Sequence, residues 1–342
     1  MRKLASVQRI HKIEPIDGAD RIELAHVLGW QCVVKKGEFK EGDLGVYFEI
    51  DSFLPVKPVF EFLRSSSYKK SELMGEGFRL KTQKMRGVLS QGLLLPMSVL
   101  ENSPKYNLGD DVTEVLGVRK WEIEERATTG GTAIGELPYS IPHTDEIRVQ
   151  NYPEYLEEFR GRDYYISTKM DGSSHSVSLD VNGFHITGHN YEYKDGSFVS
   201  LVKDRNYEEV VRAYAEKYNI ETIAVQGELC APGIQKNRLR LQKPEWYVFT
   251  IIVNGKRLSL HDMQSAAEEM GLIMVPIEEV GCDLPTKYPT VEALLERADG
   301  EYPNGGRKEG IVIRPVEPIK SVTIGDWLSM KVVSNKYLLK NE

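Results

Sequence analysis

The first hundred residues alternate short β-rich runs with turn signals. Five runs rich in β-branched and aromatic residues follow one another at close spacing. They predict strands over residues 4–10, 20–36, 41–50, 77–86 and 91–97. Glycine and proline at 15–18 and 37–42 are typical of the turns and loops between such strands.

Five short strands in succession predict a small β-barrel. The strand count matches the five-stranded OB barrel, a fold that often binds single strands or oligonucleotides. An SH3-like barrel is the alternative. We therefore expect an OB-fold nucleic-acid-binding domain over residues 1–125.

The pattern changes after Trp121. Residues 127–142 contain glycine, threonine and proline without helical or strand periodicity, which predicts an interdomain linker over 126–142. The remainder, 143–342, mixes the two periodicities and predicts an α+β domain built on antiparallel sheet. Its predicted strands are 163–170, 174–181, 183–189, 221–229, 246–253, 309–316 and 327–333, and its predicted helices are 204–218, 260–270 and 290–298. Gly271 and Gly300 are expected to end two of these helices.

Composition narrows the class of protein. The chain has 44 Lys and Arg against 51 Asp and Glu, a formal net charge of −7, with 28% charged and 41% hydrophobic residues, which excludes disordered, collagen-like and coiled-coil proteins. Apolar runs are too short for a membrane helix, and the first residues carry charges where a signal peptide is apolar. Global acidity leaves nucleic acid open as a partner, since phosphates respond to a local basic stripe.

Three cysteines, Cys32, Cys230 and Cys282, lie far apart in the sequence. Their number and spacing fit neither a disulfide framework nor a structural zinc site. We therefore expect a cytoplasmic or otherwise reducing location, with no membrane and no disulfide-linked partner.

The strongest local signal is the stretch Thr168-Lys169-Met170-Asp171-Gly172. The lysine follows an extended apolar run, so its amine lies at a strand end. The turn at Gly172 would keep the backbone close to a bound nucleotide. A four-residue pattern of this kind also arises by chance, and most such lysines are solvated surface groups.

Four further segments follow the lysine in a fixed order. A strand ends in Gly227-Glu228, an aromatic strand contains Phe249, and Glu309-Gly310 and Lys331 come later. Together with the lysine segment they resemble the motifs of the covalent nucleotidyltransferase superfamily, which contains polynucleotide ligases and mRNA capping enzymes. The resemblance covers about residues 145–337.

The order of domains narrows the resemblance. DNA ligases and capping enzymes carry an OB domain after the last lysine motif, whereas here the barrel is expected at the amino end and few residues follow Lys331. With residues 144–151 ahead of the nucleophile, the chain is similar to ATP-dependent RNA ligases that have an amino-terminal OB module. Such enzymes seal breaks whose 3′-hydroxyl end is RNA, and a nicked duplex is one candidate substrate.

The resemblance implies roles for the charged residues. Lys169 would attack the α-phosphate of ATP and carry AMP. Its pKa must fall for the amine to react, and a divalent ion together with a neighbouring lysine such as Lys331 would lower it. Lys331 would also hold the α-phosphate. Asp171, Glu228 and Glu309 would hold Mg²⁺ or Mn²⁺ through its retained waters rather than by a full protein cage.

The nucleotide contacts are implied in the same way. Phe249 would stack on adenine, although Tyr247 has the same strand parity and is an equal candidate. Arg148 would contact a phosphate of AMP or of the RNA, and Thr168 and Gly172 would lie beside the nucleotide. His189 occupies the position of a family arginine, so it either substitutes for that contact or the contact is lost. Thr250 stands where relatives often have aspartate.

Arg79, Lys81, Lys84 and Arg86 are the candidate RNA-binding residues of the barrel. They lie within the nine residues 78–86, which contain no acidic residue. A solvated edge strand kept soluble by its cations is the alternative. Strict alternation directs Lys84 and Arg86 away from Arg79, which requires a bulge or a second surface.

Two other functions remain possible from the sequence. One is a capping-type enzyme that uses GTP. The other is a non-catalytic tRNA- or RNA-binding protein, because residues 13–27 also resemble the start of tRNA-binding OB modules. Phe60 and Phe62 would either stack on a base or belong to the barrel core.

Overall fold

The computed structural model describes residues 2–122 and 131–341. The chain divides into two compact units. The first unit is Met1–Glu124 with Gln150–Pro153 and Leu338–Glu342. The second unit is Glu125–Val149 with Glu154–Tyr337. In the described part of the chain, no helix combines the length and the apolar composition that crossing a membrane requires. Cys32 and Cys230 are buried free thiols and Cys282 is an exposed one.

Antiparallel strands dominate the first unit. Its strands are β1 (Ala5–Pro15), β2 (Ile22–Val27), β3 (Trp30–Lys35), β4 (Leu44–Phe48), β5 (Ser52–Pro55), β6 (Tyr68–Ser71), β7 (Gly75–Arg79), β8 (Thr82–Met85), β9 (Val88–Gln91), β10 (Leu93–Pro96) and β11 (Arg119–Lys120). Its α-helices are the single turns Arg64–Ser67 and Thr113–Leu116, and its 3₁₀ turns are Pro58–Leu63, Met97–Val99 and Ser103–Lys105.

A five-stranded sheet with the order β10-β4-β1-β2-β3 forms half of a barrel. A second sheet, β11-β5-β7-β6, and the hairpin β8-β9 accompany it. Val7, Val46, Phe48, Leu54 and Phe78 are buried between these elements and form the core. The predicted strands over 4–10, 41–50 and 91–97 are present, whereas the predicted run 20–36 is a hairpin of two strands.

The predicted strand over 77–86 is wrong in its continuity. Strand β7 ends at Arg79, and β8 begins at Thr82 in a different sheet. Arg86 and Gly87 both have positive φ, 49° and 90°, and form the two-residue turn of the β8-β9 hairpin. Arg79 therefore ends β7, Lys81 lies in the connection to β8, and Lys84 and Arg86 lie on the separate β8-β9 hairpin. The parity problem disappears because these residues do not share one strand.

The second unit contains two sheets and most of the helices. Its strands are β12 (Ala133–Glu136), β13 (Ile147–Arg148), β14 (Asp163–Lys169), β15 (Ser173–Asp180), β16 (Gly183–Thr187), β17 (Tyr191–Tyr193), β18 (Ile223–Cys230), β19 (Glu245–Val253), β20 (Lys256–Arg257), β21 (Ile277–Cys282), β22 (Gly310–Pro315) and β23 (Met330–Val333). Its α-helices are Ser197–Asp204, Tyr207–Lys217, Leu260–Glu269, Leu284–Lys287 and Val291–Ala298, with Asn335–Asn341 crossing into the residues assigned to the first unit. The 3₁₀ turns Val149–Asn151 and Pro153–Phe159 each include residues assigned to both units.

The two sheets have the orders β12-β17-β16-β15-β18-β19-β20 and β13-β23-β22-β14-β21. All pairs are antiparallel except β13 with β23. The helices pack on the first sheet through a core that includes Val177, Val225, Trp246, Val248 and Ile251. The seven predicted strands of this domain are all present, and β12, β13, β17, β20 and β21 were not predicted.

The predicted helices can be compared with the helices in the structure. Gly271 follows the helix Leu260–Glu269 with φ 63° and acts as its left-handed cap, as predicted. The prediction for Gly300 is wrong, because the helix Val291–Ala298 ends in the extended Asp299, φ −75° and ψ 142°. The predicted helix over 204–218 is present as Tyr207–Lys217, which begins after Asn206, φ 53°. The helix before it, Ser197–Asp204, was not predicted.

The predicted linker over 126–142 has two outcomes. Its first part falls on residues 123–130, which are outside the described ranges. Within the rest, Ala133–Glu136 is not irregular but forms the edge strand β12, which pairs with β17. The boundary between the predicted domains remains a prediction.

Candidate active site

The side chains of Lys169 and Glu309 meet at the end of two paired strands. Lys169 is the last residue of β14 and lies opposite Gly310, the first residue of β22. Lys169 Nζ donates a hydrogen bond to Glu309 Oε2 across 3.0 Å. The Tyr302 hydroxyl donates to the Lys169 carbonyl at 2.7 Å and accepts from the Glu309 N–H at 3.2 Å. Tyr302, which the sequence did not indicate, thus fixes both backbones.

Glu228 lies against the turn that follows the lysine. Its Oε1 accepts a hydrogen bond from the Gly172 N–H at 3.1 Å. A Cβ at Gly172 would lie 2.3 Å from the Leu229 carbonyl oxygen, so only glycine allows this approach. Gly172 therefore brings the turn close to strand β18, where Glu228 is located.

Asp171 is buried, and each of its oxygens has a protein donor. Arg238 donates to Oδ2 at 2.7 Å and the Tyr337 hydroxyl to Oδ1 at 2.7 Å. The Arg238 guanidinium also lies 4.8 Å from the centre of the Tyr337 ring. These bonds orient the carboxylate. Neither donor was predicted, because Arg238 and Tyr337 are 67 and 166 residues away in the sequence.

The electrostatics around Lys169 differ from the expectation. Burial lowers the pKa of Lys169. The carboxylates of Glu309 and Glu228 raise it by more than burial lowers it, so the pKa is above its usual value. The expected fall in pKa is therefore not a property of the free chain. It requires something that neutralises these carboxylates.

The pKa values of the two glutamates near Lys169 are raised. Burial raises the pKa of Glu228 to about 7, with Lys169 acting in the opposite direction and Glu309 adding to the rise. Burial also raises the pKa of Glu309. Burial thus disfavours the ionised form of both carboxyl groups. A hard cation bound beside them would stabilise that form, because carboxylate oxygens are its preferred ligands. The chemistry of the site therefore fits a divalent ion.

Direct ligation is a separate question. Within residues 2–122 and 131–341, no three His, Cys, Asp or Glu side chains lie close enough to hold a metal by themselves. The metal-binding roles of Asp171, Glu228 and Glu309, directly or through water, remain a proposal.

A cleft with a cavity volume of about 200 Å³ lies beside the lysine. Thr168, Lys169, Glu228, Phe249 and Lys331 line it, and His189 lies at its wall. The structure thus brings together most of the residues that the sequence singled out.

Phe249 rather than Tyr247 lines the cleft. Gln226 pairs with Thr250 and Gly227 with Val248, so Phe249 is the extra residue of a β-bulge in β19. The bulge changes the strand parity that made the two aromatic residues equivalent.

The other predicted nucleotide contacts have distinct surroundings. Thr168 donates its hydroxyl to Glu278 Oε1 at 2.7 Å. His189 Nε2 is 3.7 Å from Asp145 Oδ2. Arg148 is buried on β13 and pairs in register with Lys331 of β23, but it is not among the residues lining the cleft.

Arg314 is a further residue of the cleft that the sequence did not indicate. Its guanidinium donates to the Phe249 carbonyl at 2.5 Å, to Thr250 Oγ1 at 3.0 Å and to Glu146 Oε1 at 2.5 Å. Burial lowers the pKa of Arg314, but Glu146 and Tyr165 together outweigh burial and raise it. Arg314 thus anchors the backbone of the bulge that presents Phe249.

The barrel cations of the first unit fall into two groups. Arg79 is 3.6 Å from Asp51, and its guanidinium lies 5.1 Å from the Trp121 ring centre. Lys81 is half-buried, whereas Lys84 and Arg86 are exposed on the β8-β9 hairpin. RNA binding by the four residues remains a prediction, with Lys84 and Arg86 the most accessible.

The two phenylalanines of the barrel have different environments. Phe60 is fully buried, and 57% of the Phe62 side chain is exposed. Phe60 therefore belongs to the barrel core, which was one of the two possibilities for these residues. Stacking of Phe62 on a base remains a prediction.

Comparisons with known proteins fit this geometry. An OB-fold domain family matches residues 4–97, and the RNA ligase family matches residues 162–333. The solved structure of the Naegleria gruberi RNA ligase with PPi is 34% identical and covers 99% of this chain and 98% of that chain, with a TM-score of 0.88. The chain belongs to the RNA ligase family. This RNA ligase therefore has the predicted amino-terminal OB fold followed by an antiparallel nucleotidyltransferase domain.

Two further structures of the Naegleria gruberi RNA ligase are similar at 34% identity. A variant with AMP and Mn covers 100% of both chains, with a TM-score of 0.89. Another variant, with ATP and Mn, covers 99% of this chain and 98% of that chain, with a TM-score of 0.87. A comparison with curated proteins gave no match.

Proposed function

We propose that this protein is an ATP-dependent RNA ligase that joins a 5′-phosphate end to a 3′-hydroxyl RNA end. The observation that carries the proposal is the position of Lys169, half-buried beside Glu309 and lining one cleft with Glu228, Phe249 and Lys331. Membership of the RNA ligase family and the similarity to ligase structures with ATP, AMP and Mn support it.

The first step is adenylylation of the enzyme. The neutral amine of Lys169 attacks the α-phosphorus of ATP, an N–P bond forms, and the P–O bond to pyrophosphate breaks. Glu309 Oε2 already accepts a hydrogen bond from Lys169 Nζ, so it is the nearest group that can take the proton. Lys331 lines the same cleft and would stabilise the charge that develops on the phosphate.

The next two steps use the same site. AMP passes from Lys169 to the RNA 5′-phosphate, and the N–P bond breaks. The 3′-hydroxyl then attacks the adenylylated 5′-phosphate, a phosphodiester bond forms and AMP leaves. Each step is transfer at phosphorus, so one arrangement of cations and carboxylates serves all three.

Asp171, Glu228 and Glu309 are the residues that would hold Mg²⁺ or Mn²⁺. When bound, the divalent ion would supply neutralisation of these carboxylates and of the phosphate charge. The chain's own contribution is to orient the carboxylates, through Arg238 and Tyr337 at Asp171 and through the Gly172 N–H at Glu228.

The nucleotide would lie between Lys169 and Phe249. Phe249 is expected to stack on adenine, with Thr168, Gly172 and His189 close to the bound nucleotide. Arg148 is expected to contact a phosphate of AMP or RNA. A reducing, cytoplasmic location is part of the proposal and rests on the sequence.

Labelling with a radioactive nucleotide tests the proposed activity. The protein is incubated with α-labelled ATP or α-labelled GTP and Mg²⁺ or Mn²⁺, and label that survives a denaturing gel is measured beside Lys169→Ala. Label from ATP that the variant lacks, followed by sealing of a 5′-phosphate RNA, is expected. Preferential labelling by GTP would favour a capping-type enzyme. An unlabelled protein whose intact mass shows no preexisting AMP would contradict ligase activity.

A further inference from the structure

Glu278 is the extra residue of a second β-bulge near the cleft. Along the pair β14-β21, Ile166 lies opposite Glu279 and Ser167 lies opposite Ile277, which leaves Glu278 unpaired in the ladder. A bulge redirects the side chain of its extra residue, and bulges are frequent next to active sites. The redirected carboxylate contacts the segments that carry Lys169 and Glu309.

Two of its contacts are to residues one position before the reacting pair. Thr168 Oγ1 donates to Glu278 Oε1 at 2.7 Å, and Lys308 Nζ donates to Oε1 and Oε2 at 2.7 and 2.9 Å. Thr168 immediately precedes Lys169, and Lys308 immediately precedes Glu309. One carboxylate therefore connects the two chain segments whose side chains form the Lys169–Glu309 hydrogen bond.

The connection is buried and charged. Only 7% of the Lys308 side chain and 18% of the Glu278 side chain are exposed. Arg297 adds a third donor to Glu278, at 2.8 Å. Burial raises the pKa of Glu278, but its bonds to Lys308, Thr168 and Arg297 outweigh burial and lower it. Glu278 is thus an ionised carboxylate at neutral pH.

We propose that Glu278 is a positioning residue that holds Lys169 and Glu309 in the geometry for lysine adenylylation. The proposal rests on the function proposed above. Without this carboxylate, Lys308 would lose its countercharge and the two segments would lose their shared anchor. The amine would then sample positions away from the attack line, and small displacements of a reacting atom reduce rates strongly.

The adjacent residue provides a matched control. Glu279 has a side-chain exposure of 15%, close to that of Glu278, and accepts from Tyr164 at 2.6 Å, Tyr288 at 2.9 Å and Lys287 at 2.8 Å. Arg297, which donates to Glu278, also lies 3.6 Å from Glu279, so the two carboxylates share this one cation. These donors are not next to Lys169 or Glu309 in sequence. Glu279→Gln therefore changes a comparable network on the same strand without removing the anchor.

The test measures lysine-AMP formation in a single turnover over a range of ATP concentrations, with thermal unfolding beside it. Glu278→Gln is expected to slow the maximal rate by about 10- to 100-fold and to change the half-saturating ATP concentration by less than about 3-fold. Glu279→Gln is expected to retain a near-normal rate even if its unfolding temperature falls as much. Equal rate losses in the two variants would overturn the inference.

A second pair of variants covers a failure of Glu278→Gln to fold. Thr168→Val removes one bond to Glu278 without leaving a buried charge, and Thr168→Ser retains the hydroxyl. We expect the valine variant to be slow and the serine variant to recover most of the rate. Equal rates in both would contradict the proposed anchor. Wild-type protein that forms no lysine-AMP would instead overturn the proposed function, and with it this inference.

Discussion

Lys169 Nζ and Glu309 Oε2 form a hydrogen bond of 3.0 Å at the paired ends of two strands. In the free chain this contact makes the proposed nucleophile a charged ammonium, because Glu309 and Glu228 raise its pKa more than burial lowers it. The amine must therefore lose a proton before it can attack, and the carboxylates must first be neutralised.

Removing the charge of Glu309 should make Lys169 more reactive towards a simple reagent. Glu309→Gln is expected to lower the pKa of Lys169, since an opposite charge that favours the ammonium is lost. The rate at which an amine-acylating reagent modifies the Lys169 peptide, measured by mass spectrometry from pH 7 to 11 without metal, checks this.

The exposed Lys69 serves as an internal control in the same experiment, because its labelling should be equal in both proteins. The variant should nevertheless lose adenylylation, since Glu309 would be missing from the metal site. An unchanged profile for Lys169 would contradict the electrostatic account.

The ionised Glu228 side chain is expected to destabilise the metal-free protein. Burial raises its pKa to about 7, so the stability that its protonated form provides is present below about pH 4.5 and is lost as the pH rises through 7. Glu228→Gln keeps an acceptor for the Gly172 N–H but has no charge. The metal-free variant should be more stable than the wild type at pH 8, by about 2 kcal/mol, with the difference vanishing near pH 4.5.

Thermal unfolding in a chelator from pH 4.5 to 8 measures that difference, and adenylylation is assayed beside it. A variant that is less stable than the wild type at pH 8 would show that the Glu228 carboxylate stabilises the free chain.

The local motifs were visible in the sequence because their parts are close together. Lys169, Asp171 and Gly172 occupy one strand end and turn, where glycine permits an approach that no Cβ would allow. The partners of Asp171 were not visible, because Arg238 and Tyr337 come from distant segments that only tertiary packing brings to it.

The register of strand pairing could not be predicted from the sequence. Alternation made Tyr247 and Phe249 equivalent, and the bulge at Phe249 is a property of the pairing between β18 and β19. The same reason explains the cations at 79–86, where a break between sheets replaced a continuous strand. Gly300 shows that a glycine near a helix end is a cap only if the backbone turns there.

The bulge predicts different effects for the two aromatic residues. Phe249→Ala should raise the half-saturating ATP concentration of adenylylation by about 3- to 10-fold, the value of one stacking contact. Tyr247→Ala should change it less, because Tyr247 does not line the cleft. A titration of ATP in the labelling assay compares them, and a larger effect for Tyr247 would reverse the assignment.

The β8-β9 hairpin should matter for RNA rather than for ATP. Lys84→Ala with Arg86→Ala is expected to weaken RNA binding and to reduce the slope of log affinity against log salt by about 1 to 2. Formation of lysine-AMP should be unchanged. Lys70→Ala, an exposed lysine that pairs with Glu76 on the β6-β7 hairpin, is the control. Binding that is equally strong in the double variant would remove the hairpin from the RNA surface.

The site of adenylylation tests the central claim most directly. Protein incubated with ATP and Mg²⁺ is digested at low temperature under conditions that preserve the N–P bond, and the adenylyl mass is mapped by tandem mass spectrometry. The account predicts one adenylyl group on Lys169 and none in Lys169→Ala. An adenylyl group on Lys331 or elsewhere, or one that persists in Lys169→Ala, would contradict it.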